Sequence, residues 1–132
     1  MSFLLDTDIC SAFMKGNGKA HNRFIQHGGR LHISVATLGE LYRWTLRANA
    51  SPRRAQGLAD LLRDVTVLDA TAAVARVFGA TKAMLLDQGH SVSEFDLLIA
   101  ATAVAHDLTL VTHNVQDFKH VPGLTIADWL SA

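Results

Sequence analysis

Phe3-Leu4-Leu5-Asp6-Thr7-Asp8 is the stretch whose reading decides the fold. Ser2 to Leu5 is a short apolar run ending on a carboxylate, the pattern of a parallel strand buried on both faces whose carboxyl end carries a polar site. Outward from it, helical and strand-like patterns alternate. Asp8 to Lys15 and Lys19 to His27 read as short helices, closed by Gly16-Asn17-Gly18 and Gly28-Gly29. Leu31 to Ile33 is a second strand. Ser34 then caps a helix running to about Asn49, with Val35, Leu38, Leu41, Tyr42 and Leu46 on one broad apolar face. Ser51-Pro52 breaks it and opens the next helix, to about Arg63. Val65 to Leu68 is a β-branched strand, Thr71 to Gln88 a long amphipathic helix ended by Gly89, and Ser93 to Ala105 a strongly apolar helix. The strand Leu108 to Val111, a turn at Asn114 to Phe118 and a last short strand near Leu124 to Ile126 complete the chain. Strands separated by helices imply right-handed crossovers. The expected fold is therefore α/β: an open parallel sheet of four to five short strands with helices on both faces, its site beyond the carboxyl ends of the strands.

A length of 132 residues suits one domain, spanning 1–132, large enough to bury a core without disulfides or a structural metal. Hydrophobic residues at 49% and charged residues at 18% exclude a disordered chain. The one cysteine, Cys10, has no partner for an internal disulfide, and no cationic leader with a cleavage site is visible, so a cytoplasmic location is expected. No apolar run reaches the roughly 18 residues that a membrane span needs.

Twelve basic and twelve acidic residues balance to zero, so no global field advertises nucleic acid. The distribution is uneven. From Lys15 to Arg63 there are nine basic residues (Lys15, Lys19, Arg23, Arg30, Arg43, Arg47, Arg53, Arg54, Arg63) against Glu40 and Asp60, a balance of +7. Either one face neutralises phosphates while another holds cations, or these are solvated helix faces.

Four acids, Asp6, Glu40, Asp96 and Asp117, each sit where a predicted strand ends or a predicted helix begins or runs beside one. Each has a bland alternative. Asp6 and Asp8 are equally good helix caps, a role worth about 1 kcal/mol that accounts for only one of them. Glu40, in a mostly apolar helix beside Thr37, Leu41 and Trp44, is either turned to solvent or held inward by a partner. Asp96, three residues after Ser93, suits a first helical turn, and Asp117, three after Asn114, suits a local turn. Together they say more. Two carboxylates at roughly 5 Å repel by about 3 kcal/mol at an effective dielectric near 20, so clustered ionised acids imply a cation. An all-oxygen set selects magnesium or manganese over zinc. None of the seven histidines has zinc-site spacing, so they are assigned to surface or capping positions.

Asp6-Thr7 after the first strand, Ser34-x-x-Thr37-x-x-Glu40-Leu41, Asp96-x-x-Ile99-Ala100-Ala101-x-Ala103 and Leu110-Val111-Thr112-x-Asn114-x-x-Asp117-Phe118 stand in an order and at separations that cover essentially the whole chain. In this the sequence resembles PIN-domain ribonucleases, in particular VapC-type toxins of prokaryotic toxin–antitoxin pairs. The resemblance implies a magnesium-dependent endoribonuclease, with Asp6, Glu40, Asp96 and Asp117 as the metal-site acids and Thr7, Thr112 and Asn114 as supporting polar residues. Asp6 and Asp96 are the chosen primary ligands; manganese substitutes for magnesium. Ser93-Glu94-Phe95 departs from the small residues expected before Asp96, which leaves the role of Glu94 open.

The same resemblance implies an RNA substrate, a small VapB-like antitoxin covering the acidic groove, and a homodimer built on helices, to which Tyr42 and Trp44 belong if they are not core. Two rival functions stand beside it. Asp6-Thr7-Asp8 mimics the nucleophile motif of haloacid-dehalogenase-like phosphatases, whose late Gly-Asp motif is missing here. A catalytically silent RNA-binding scaffold would use the same fold.

Overall fold

The computed structural model describes residues 1–131. Its sheet is built from β1 (Phe3–Leu5), β2 (Leu31–Ser34), β3 (Thr66–Leu68), β4 (Thr109–Val111) and β5 (Ile126–Ala127). The strands lie in the order β3-β2-β1-β4-β5, every pairing parallel, with β1 at the centre. The helices between them are α1 (Thr7–Met14), α2 (Gly18–Gln26), α3 (Val35–Leu46), α4 (Pro52–Asp64), α5 (Ala72–Asp87), α6 (Glu94–Ala105) and the single turn α7 (Val115–Phe118).

Alternation along β1 divides the core in two. Phe3 and Leu5 face one side, where Ile9, Phe24, Leu58, Leu61 and Trp129 close over them. Leu4 faces the other, against Ile99, Ala100 and Ala103 of α6, with Leu110 and Phe118. A strand covered on both faces has no room for a polar residue, which is why β1 reads as an unbroken apolar run.

Three local details differ from the sequence expectations. α3 stops at Leu46 because Arg47 turns extended (φ −62°, ψ 145°), and Arg54 Nη1 donates to the Trp44 carbonyl at 3.0 Å, satisfying an acceptor that the helix end leaves open. The expected turn at Asn114 to Phe118 winds into α7, too short for any periodicity to betray it. β5 begins at Ile126, where register with Leu110 and Val111 places it. Of the histidines assigned to surface or capping positions, His27 is the C-cap of α2 and His106 that of α6, while His32 lies half-buried within β2. His27 packs against Phe3 and Trp129, with ring centroids 4.6 and 5.2 Å away, and burial together with Arg30 and Arg23 lowers its pKa. Among the described residues no helix is long and apolar enough to cross a membrane.

Candidate active site

The site forms where β1 and β4 end side by side. The Asp6 amide donates to the Val111 carbonyl at 2.9 Å, which carries the β1–β4 ladder one residue past the strand and brings Thr112 next to Asp6. Asp6 is the N-cap of α1: its Oδ1 accepts from the Thr7 amide at 2.8 Å, and its Oδ2 accepts from the Thr112 hydroxyl, also at 2.8 Å. This carboxylate is 4% exposed. Burial first, then Asp8 and, more weakly, Asp96, push its pKa up to about 7 against the two hydrogen bonds.

α3 starts at the carboxyl end of the neighbouring β2, capped by the Ser34 hydroxyl, which accepts from the Thr37 amide at 3.2 Å. That start points Glu40 inward. Thr7 Oγ1 donates to Glu40 Oε1 at 2.6 Å and lies 3.2 Å from Thr37 Oγ1. Of the two placements open to Glu40, the structure adopts the partnered one. Asp96 enters from the first turn of α6, its amide donating to Ser93 Oγ at 3.1 Å. Burial raises its pKa, and Asp117 and Glu40 raise it further. Asp96 is thus the member of the group that feels all three others, since Asp6 in turn feels Asp96.

The remaining positions are looser. Asp117 lies in α7, exposed, its amide donating to the Asn114 carbonyl at 3.0 Å. The Asn114 amide donates to Thr112 Oγ1, but the Asn114 side chain does not cap α7. Among the described residues no three His, Cys, Asp or Glu side chains converge into a closed metal-holding group. The acids surround one locus without meeting on it.

The sequence offers Asp8 as a rival cap and as the second acid of Asp-x-Asp, and the structure gives it more. Its Oδ2 accepts from the His113 amide at 3.0 Å, tying α1 to the segment after β4, while Oδ1 is buried with no donor. Burial raises its pKa as well. The Asp-x-Asp spacing was the only sequence signal for it. Glu94 goes elsewhere: its carboxylate pairs with Lys82 of α5 at 3.1 Å, on the surface.

Among the described residues no lysine or arginine is paired with Asp6, Asp8, Glu40, Asp96 or Asp117. A buried carboxylate with like charges around it, oxygen donors throughout and an orphaned Asp8 oxygen fit a hard divalent cation.

A family model described as PIN domain matches residues 3–124, and the chain belongs to that family. It is 34% identical over 130 residues to the tRNA(fMet)-specific endonuclease VapC of Shigella flexneri, covering 98% of both chains. To ribonuclease VapC2 of Haemophilus influenzae it is 32% identical, over 98% of this chain and 99% of that one. Among solved structures, VapBC from Salmonella typhimurium bound to DNA superposes with a TM-score of 0.92 at 31% identity, covering 98% of both chains. VapBC2 from Rickettsia felis, bound to a DNA fragment from its promoter, gives 0.91 at 27% identity, over 98% and 99%. The family assignment removes the phosphatase alternative: Asp-x-Asp after β1 is here part of a PIN domain.

Proposed function

We propose that this chain is a metal-dependent endoribonuclease acting as the toxin of a toxin–antitoxin pair. The observation that carries the reading is Asp6: a carboxylate 4% exposed at the end of the central strand, surrounded by acids and, among the described residues, paired with no cation. Evolution of such a cost into a fold makes sense where a cation offsets it.

The hard, all-oxygen donor set selects magnesium, with manganese as its substitute. Asp6 and Asp96 would hold it, with Glu40 and Asp117 completing the site directly or through water. When bound, the ion supplies neutralisation of the scissile phosphate and the acidity needed to activate a water. The protein's own part is positional. Thr112 and the Thr7 amide fix both oxygens of Asp6, so that side chain cannot rotate away. Thr7 Oγ1 holds Glu40 toward the same locus from a different helix. The Asp8 link to His113 keeps the segment bearing Asn114 and Asp117 against α1.

RNA as substrate and a small VapB-like antitoxin as partner follow from the relatives' names and from the VapBC complexes among the structural neighbours. Purified chain should cleave RNA when magnesium or manganese is supplied and stop when a chelator removes it. Undiminished cleavage in chelator would sink the metal mechanism.

A further inference from the structure

The α3 helix carries Glu40, Arg43 and Trp44 at positions i, i+3 and i+4, one continuous stripe, and Arg47 follows just past its end. The face that presents Glu40 to the acidic pocket therefore runs on, over about 6 Å of helix axis, into an arginine and an indole. α4 packs beside α3 and adds Arg53 and Arg54 from its first turn. The Arg54 guanidinium lies 4.7 Å over the Trp44 ring while its Nη1 holds the Trp44 carbonyl. Lys15, just past the end of α1, reaches the same ring at 5.8 Å.

Between these elements opens a cleft of about 490 Å³ lined by Lys15, Trp44, Arg53 and Arg54. A smaller one of about 300 Å³ shares Trp44 and Arg54 with it and is lined also by Arg43, Arg47 and Asn49. At the other end, Lys15 also lines a depression with Asp8 and Ser11, beside the acidic pocket. Among the described residues Lys15, Arg43, Arg47, Arg53 and Arg54 pair with no carboxylate. Asp60, the acid that borders the cleft, is engaged by Arg63 and Gln56.

Resting on the ribonuclease reading, we propose that this trough carries the phosphates of a single-stranded stretch of the substrate RNA up to the carboxylates, with Trp44 and Arg54 as its fixed floor. Exposed cations with no counter-charge suit a polyanion, and a basic groove tracking the backbone is how single strands are held without sequence preference. Its course decides between a nucleic acid and an acidic peptide. The trough ends beside Asp8, where a phosphodiester meets the chemistry proposed for the pocket and an acidic peptide brings no phosphodiester bond to cleave.

The test is the binding of a short fluorescein-labelled oligouridine to the full chain made cleavage-dead by Asp6→Asn, across a series of salt concentrations. Adding Arg43→Gln, Arg47→Gln and Arg53→Gln, all at exposed positions, should weaken binding at least about tenfold at low salt. The slope of log K against log salt should become shallower by about 2, three contacts at roughly 0.7 each for a single strand. Arg30→Gln with Arg76→Gln, which removes exposed cations outside the trough, should change neither. Equal affinity and slope for the triple variant, in a chain that otherwise cleaves RNA, overturns the trough and leaves the ribonuclease reading standing. So does a triple variant that keeps its RNA affinity but loses an acidic peptide. Failure of the unsubstituted chain to cleave and of the Asp6→Asn chain to bind overturns both.

Discussion

The acidic pocket and the cationic trough adjoin along one stripe of α3, and each concentrates like charges that no described residue of opposite charge pairs with. They differ in burial. Asp6 is 4% exposed and its pKa is pushed up to about 7, whereas Arg43, Arg47 and Arg53 stand in solvent. At physiological ionic strength the Debye length is about 8 Å, so the trough's repulsion is screened and costs the fold little. The pocket's is not screened. One region therefore stores a structural cost that a proton or a compact cation near the carboxylates would offset, while the other offers a diffuse field to an extended polyanion.

If that contrast is right, the largest effect of any single substitution comes from the pocket. Asp96→Ala should lower single-turnover RNA cleavage by about a thousandfold or more, because Asp96 feels each of the other three acids and is one of the two carboxylates proposed to hold the ion. The fold should survive, since the bond that caps α6 is donated by the Asp96 amide, which is retained, and only the carboxylate's own hydrogen bond with Ser93 is lost. A loss no larger than that of a single trough arginine would erase the distinction between the two regions.

The contrast was only partly legible in the sequence. β1 announced itself because a strand buried on both faces tolerates no polar residue, and Ser34, Ser93 and the Asp-x-Asp segment announced helix starts through capping chemistry. Which of Asp6 and Asp8 takes the cap was not legible, since both satisfy it locally; the β1–β4 pairing decides, by setting Thr112 against Asp6 and the His113 amide against Asp8. Glu40 was open for the same reason, its partner Thr7 lying 33 residues away. The +7 segment overstated the trough. Arg30 precedes β2 and Arg63 is taken up by Asp60 near the end of α4, so linear proximity gathered charges that the crossovers disperse.

The next effect is on stability, in the metal-free chain. Folded Asp6 holds its proton to about 7, whereas the unfolded chain releases it near 3.8, so the folded state binds more protons throughout that window. Stability is then lost as pH rises from about 4 to 7, by at most about 4 kcal/mol from this group. Asp8 and Asp96, raised by burial as well, push in the same direction. Thermal melts in chelator should fall over this range. Asp6→Asn, which keeps an acceptor for the Thr7 amide and turns a donor toward the Thr112 hydroxyl oxygen, should melt higher than the parent near neutral pH and flatten the profile. A parent whose melting temperature is flat or climbs between pH 5 and about 7 would mean that the pocket stores no such cost.

The smallest effect is the sharpest test of whether location or charge sign governs. Glu94 and Asp96 are acids in the same first turn of α6, and the helix dipole treats them alike. Positions two apart on a helix point about 200° from each other, and here Asp96 faces the pocket while Glu94 pairs with Lys82 on the surface, its side chain 74% exposed. An exposed pair of this kind is worth a few tenths of a kcal/mol. Glu94→Ala should therefore leave single-turnover cleavage within about twofold of the parent and lower stability by no more than that small amount. Equal losses from Glu94→Ala and Asp96→Ala would show that the start of α6 acts on the site as a unit through its charge, and the assignment of Asp96 as a ligand would have to be withdrawn.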